Sequence, residues 1–207
     1  MVIQELKRSL RVEGRWLAAL EDGSILRLSE NEVADFALYP GRELTEEEGE
    51  ALMAAIARST LREKALNLLA RKPQSRRELE RKLAEWGSEP QEAEAICERL
   101  EELGYLNDAA YAAQVVEHYS AKGFGERKLR DELYRRGVPR DLWEEALEQV
   151  GDSSQAIDDF VRRKLRGERP DRAALKRVSD ALARRGYSWG EISQALSRYE
   201  VDLEEEA

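Results

Sequence analysis

The chain has 207 residues, with 34 Lys and Arg against 43 Asp and Glu, a formal net charge of −9. Taken whole, that balance argues against a nonspecific nucleic-acid coat protein. No run approaches the roughly 18 apolar residues that span a bilayer, "MVIQELKRSL" lacks the apolar core of a signal peptide, and a lone Cys97 cannot build a disulfide framework, so a reduced, cytoplasmic setting is expected.

Residues 1–44 read as a small β module. In "RWLAALEDGSILRLSE", Asp22-Gly23 lies between two apolar stretches and suits a two-residue type I′ turn. Pairing across such a turn sets Leu17 opposite Leu28 and Ala19 opposite Leu26. A preceding strand is expected within 2–12, and Pro40-Gly41 marks another turn. A hairpin alone is marginal in water, so this one must pack on something.

From Thr45 onward the chain reads as helix. Thr45 with Glu48, Ser75 with Glu78 and Ser188 with Glu191 are capping boxes, and Ser88 with Gln91 is a weaker version. Pro139 suits a first-turn position, and Pro170 just before Asp171 fits another helix start. The segments ending at Gly87, Gly137 and Gly186 repeat one pattern at a spacing of about 50 residues. Eight before each glycine stand Leu79, Leu129 and Val178; four before, Leu83, Leu133 and Leu182. After it come Ala93, Trp143 and Ile192, then Ile96, Ala146 and Ala195, then Cys97, Leu147 and Leu196, and finally Leu100, Val150 and Tyr199. Steps of three and four make a buried helical stripe, and the glycine sits where a helix stops in a left-handed residue. A further helix precedes each pair, roughly at 48–71, 108–121 and 153–166. The expected fold is therefore mainly α: three tandem three-helix, helix-turn-helix-like repeats in an elongated stack, with a small N-terminal β-hairpin module. The divisions are 1–44, 45–106, 107–150, 151–200 and an acidic tail, 201–207.

Chemistry-bearing residues are sparse. His118 is the only histidine, so a His-based metal cluster is excluded. Cys97 lies on a core stripe and His118 on another helix, which disfavours a nucleophile pair. Phosphate-binding glycine motifs are missing, and "GFG" at 123–125 reads as a linker turn. No catalytic, cofactor or metal site is expected, and the chain reads as a non-enzyme.

Charge alternates by helix. Residues 71–82 hold six basic and two acidic side chains, 122–140 seven and three, and 162–177 eight and two. Residues 89–102 hold six acidic and one basic, and 141–148 four acidic and none basic. Two readings follow: salt bridging between repeats, or a basic stripe that meets an extended charged partner. On the second reading Arg76, Arg77, Lys128 and Arg130 should face solvent. The acidic third helices fit a major groove poorly, so base readout is not expected.

"ALNLLARKPQSRRELERKL" at 65–83, "LEELGYLNDAAYAAQVV" at 100–116 and "GFGERKLRDELYRRGVPRDLWEEAL" at 123–147 together resemble the RecX regulatory proteins. The resemblance covers roughly 60–200 and is clearest in the first two units. It implies tandem three-helix repeats, and a monomeric negative regulator that binds along the RecA–single-stranded DNA filament and inhibits its ATPase and strand exchange. It implies no cofactor and no membrane. Lys72, Arg76, Arg77, Lys128, Arg130, Arg135, Arg163 and Lys164 are the expected partner contacts. The alternatives are a sequence-independent binder of single- or double-stranded DNA, motivated by the same residues, and a helical scaffold with another partner.

Overall fold

The structure, a computed structural model, describes residues 1–165 and 171–204, with side chains through 197. It divides into two compact units: Met1–Lys72 with Leu83–Ile96, and Pro73–Lys82 with the chain from Cys97 onward.

In the first unit, β1 (Ile3–Arg8), β2 (Arg15–Leu20) and β3 (Ile25–Ser29) form an antiparallel sheet in that order. The β2–β3 register departs from expectation by one residue: Trp16 faces Leu28, Leu17 faces Arg27, and Ala18 faces Leu26. The cause is the turn. The Gly23 N–H donates to the Leu20 carbonyl at 3.0 Å, and the Leu20 N–H donates to the Ser24 carbonyl at 2.9 Å. Gly23 has φ +80°. Glu21-Asp22-Gly23 is thus a three-residue loop ending in a left-handed glycine, not a two-residue turn. A one-residue slip exchanges the faces, so Ala18, Leu20 and Leu28 are buried and Leu17 and Ala19 are only half-buried.

A short helix that the sequence reading left out follows. Ser29 and Glu32 form a capping box on α1 (Glu30–Asp35), and Glu32 is buried. Next is α2 (Glu46–Arg71), capped by Thr45 and Glu48 as expected. Ile3, Ala18, Leu20, Leu28, Leu38, Leu44 and Leu52 form one core, flanked by Trp16, Phe36 and Ile56. The first turns of α2 therefore supply the packing that the hairpin needs.

The helices α3 (Arg76–Glu85) and α4 (Pro90–Glu102) each have residues in both units. The second unit continues through α5 (Asp108–Ser120), α6 (Glu126–Arg135) and a 3₁₀ turn at Arg140–Leu142 that leads into α7 (Trp143–Glu148). It ends with α8 (Ser154–Leu165), α9 (Arg172–Arg184) and α10 (Trp189–Glu204). Pro139 precedes the 3₁₀ turn rather than an α-helical first turn. One core joins α5, α6 and α7 through Val115, Val116, Leu129, Leu133, Trp143 and Leu147. A second joins α8, α9 and α10 through Ile157, Phe160, Val178, Leu182, Ile192 and Leu196. The aligned stripe is buried at every described position except Val150, which is half-buried. Tyr199, Pro170 and the side chains of the acidic tail lie outside the described residues.

The three glycine stops have one geometry. Gly87, Gly137 and Gly186 have φ of +89°, +71° and +93°. After each, the next residue's N–H reaches back to a leucine carbonyl: Ser88 to Leu83, Val138 to Leu133, and Tyr187 to Leu182. Those bonds satisfy carbonyls that a helix end leaves open. The Ser75–Glu78 and Ser188–Glu191 boxes are formed. Ser88 departs from expectation: its N–H donates to the Leu83 carbonyl and its hydroxyl to Glu92 at 3.2 Å, so the box with Gln91 does not form.

Candidate interaction surface

Within the second unit, the start of one repeat's second helix meets the glycine stop of the next repeat. The Ser75 hydroxyl, ahead of α3, donates to the Arg136 carbonyl. The equivalent Gly125, ahead of α6, donates its N–H to the Arg185 carbonyl at 2.9 Å, and the Arg127 N–H donates to the Gly186 carbonyl at 3.1 Å. Helix-start donors are thereby satisfied by helix-stop acceptors. The approach is close: a Cβ on Gly125 would lie 2.5 Å from the Tyr187 nitrogen, and one on Gly186 would lie 2.5 Å from the Lys128 nitrogen. "GFG" is a joint, not a linker.

An arginine before each stop closes the joint. Arg136 donates to the Tyr111 hydroxyl at 2.7 Å and lies 5.9 Å from the Tyr111 and Tyr119 ring centres. Tyr111 in turn donates to Glu78 at 2.8 Å. Arg185 donates to the carbonyls of Lys122 and Gly123 at 3.1 and 3.0 Å and stacks over Phe124 and Phe160. These residues escaped the sequence reading. The available signal was the repeated Arg-Arg-Gly at 135–137 and 184–186.

The expected basic stripe is largely paired. Arg76 is half-buried and holds Glu80 at 2.9 Å and Glu101 at 2.6 Å. Arg130, also half-buried, holds Glu126 and Glu144, each at 2.8 Å. Lys128 is half-buried and, with Arg135, meets Glu132, a carboxylate only 3% exposed. The expectation that Arg76, Arg77, Lys128 and Arg130 all face solvent therefore holds for Arg77 alone. The reason is that carboxylates lie alongside: Arg76 reaches Glu101 on α4 and Arg130 reaches Glu144 on α7, while Glu80, Glu126 and Glu132 pair with them and with Lys128 along their own helices. Arg77 lies along Gly137, its Cδ 2.4 Å from where a Cβ there would sit. Lys72 is the exposed C-cap of α2 in the first unit. Arg163 and Lys164 are exposed on α8, and the Lys164 ammonium lies 5.8 Å from the Phe160 ring centre. The structure thus brings Lys128 and Arg135 together on Glu132 and leaves Arg130 and Arg163 in separate settings.

The electrostatics suit a fixed scaffold. Burial raises the Glu132 carboxyl, but Lys128, Tyr119 and Arg135 more than offset it and hold its pKa below the ordinary 4.5. Burial pushes the Asp108 carboxyl up, partly countered by the Arg76 N–H. Burial, aided by Glu80, pushes the Cys97 thiol up to about 12, which leaves it protonated and unreactive at neutral pH. Among the described residues no group of three His, Cys, Asp or Glu side chains could hold a metal, and no helix is long and apolar enough to cross a membrane.

The fold defines a helical-repeat protein of tandem three-helix domains behind a small β module. Three family profiles match it in succession: the first RecX three-helix domain at residues 62–100, the second at 107–147 and the third at 152–196. A Regulatory protein RecX from Pseudomonas fluorescens is 37% identical over 144 residues, 69% of this chain and 93% of that protein. One from Xanthomonas campestris pv. campestris (strain B100) is 35% identical over 142 residues, 68% of this chain and 87% of that protein. The chain belongs to the RecX family. Two crystal structures share the fold at 21% identity. One, of a regulatory protein RecX, covers 95% of this chain and 98% of its own with a TM-score of 0.76. The other, of RecX from Lactobacillus salivarius, covers 71% and 99% with a TM-score of 0.65.

Proposed function

We propose that this RecX-family protein is a cytoplasmic negative regulator of the RecA recombinase, binding along the RecA–single-stranded DNA filament and inhibiting its ATPase and strand exchange. The observation that carries this reading is the run of three consecutive RecX three-helix domains. The joints support it. A filament offers the same surface again and again, and a body whose repeats are hydrogen-bonded to one another can engage several copies with little further loss of freedom. Several weak contacts on one body then act as an avid whole, which requires neither a deep pocket nor a catalytic group. Of the eight contact residues expected from sequence, Lys72, Arg77, Arg135, Arg163 and Lys164 are exposed and are the better candidates. The test is RecA ATPase on single-stranded DNA with this protein added below stoichiometry. Inhibition is the expected result, and unchanged turnover at every ratio would overturn the reading.

A further inference from the structure

The third repeat handles its charge differently from the second. On α6 and the residue after it, every cation has a partner: Lys128, Arg130, Arg135 and Arg136 meet carboxylates, and Arg127 donates to the Ala183 carbonyl at 2.6 Å. On α8 and α9, Arg162 meets Asp159 and Lys164 lies over Phe160, but Arg163, Arg172, Lys176, Arg177 and Arg184 have no partner among the described residues. Asp171 caps α9 through the Ala174 N–H, and Glu191 holds Ser153 and Ser188.

Two of these cations, Arg177 and Arg184, converge with Lys164, whose ammonium has a ring but, among the described residues, no carboxylate beside it. Lys164 from α8 and Arg177 and Arg184 from α9 line one open cleft, with Asp180 its only carboxylate among the described residues. Arg177 and Arg184 are seven residues apart, two turns or about 10.5 Å along the helix. Ala174 and Ala181 share their side of the helix and also line the cleft, so short side chains let a strand approach between the guanidinium groups. The apolar lining, Leu165 and Val178, is half-buried or buried. Among the described residues no aromatic ring and no exposed large apolar side chain lines the cleft to anchor a protein partner or stack a base.

We infer that the cleft between α8 and α9 binds the phosphodiester backbone of a nucleic-acid strand, through Lys164, Arg177 and Arg184 and without reading base sequence. Guanidinium forks match the paired oxygens of a phosphate, and contacts to phosphate alone position a strand without specifying it. This deepens the proposed function by giving the regulator its own hold on the strand, and it is tested without recombinase, so either idea can fail alone.

The experiment measures fluorescence anisotropy of labelled oligonucleotides with the full chain across a salt series. Oligothymidylate, mixed-sequence single-stranded DNA, single-stranded RNA and duplex DNA serve as probes. Similar affinity for the two DNA single strands is expected, and the RNA and duplex arms identify which strands the cleft accepts. The variant K164A/R177A/R184A should bind at least tenfold more weakly, with the logarithmic salt slope reduced by about 2, as loss of three single-strand phosphate contacts requires. The control R8A/R11A, exposed cations of the β module, should bind like the parent. Backbone amide shifts in the unaltered protein, monitored by NMR on adding oligothymidylate, should centre on Ala174, Ala181 and Arg184, which keeps the test open should the triple variant fail to fold. Salt-insensitive binding, unchanged affinity of a folded triple variant, or shifts confined to other repeats would overturn the assignment. So would tighter binding of polyglutamate than of the oligonucleotide at equal charge, which would make the cleft a seat for an acidic protein segment.

Discussion

Gly125 has φ −81°, a value open to any residue, yet it is among the positions least able to accept a side chain. The constraint is its neighbour: the Gly186 carbonyl carbon and oxygen would both lie 2.6 Å from an added Cβ. Gly87 is the converse case, with φ +89° and nothing within 4 Å of an added Cβ. Gly87→Ala should therefore cost only backbone strain, about 1 kcal/mol. Gly125→Ala must push two backbones apart and break the bonds to Arg185 and Gly186, and should cost about 2–4 kcal/mol. Gly137 combines a left-handed backbone with the side chain of Arg77 and belongs between them for alanine. Chemical denaturation of the three variants checks the order, and equal losses at Gly87 and Gly125 would refute the close-approach account. The glycine stops were legible in the sequence because their left-handed backbone is a local demand that recurs at one spacing. The need for Gly125 was not legible, because it arises from Gly186, in the next repeat.

Within α6, Glu132 is the carboxylate to which three cations turn. Its folded pKa lies below the ordinary value, so its contribution to stability is present above pH about 4.5 and is lost as pH falls through the folded pKa. Asp108 has the opposite sign: its raised pKa favours the folded state at low pH, an advantage lost as pH rises through that pKa. Replacing Glu132 by Gln keeps the size and removes the titration. The fall in thermal midpoint between pH 5 and pH 3 should be shallower in Glu132→Gln than in the parent, and parallel curves would show that its cations do not stabilise the fold. Sequence pattern conveyed that these helices are charged, but not which charges are spent. Pairing depends on which helix lies alongside, a tertiary fact. The hairpin makes the same point, since Asp-Gly serves both a two- and a three-residue turn and only the packed face decides the register.

Across the whole molecule, the division between spent and unspent charge yields opposite expectations for two sets of substitutions. Changing Arg76, Arg77, Lys128 and Arg130 to Glu would place new carboxylates beside Glu80 and Glu101, beside buried Glu132, and beside Glu126 and Glu144. Each ion pair alone contributes little near the surface, but reversal turns attraction into repulsion at several sites at once, one of them buried. Changing Arg163, Arg172, Arg177 and Arg184 to Glu alters the net charge equally and disrupts no ion pair among the described residues. The first quadruple variant should lose about 10 °C or more in thermal midpoint, roughly 3 kcal/mol for a chain of this size, while the second stays within about 3 °C of the parent. Thermal melts followed by circular dichroism at low and moderate salt separate the two, and the first variant should recover part of its loss as salt screens the repulsion. Equal midpoints would mean that the ion pairs of the first and second repeats contribute nothing to the fold. The stripe as read from sequence would then regain its standing as a free surface, with Arg76, Lys128 and Arg130 able to leave their glutamates and turn toward a partner.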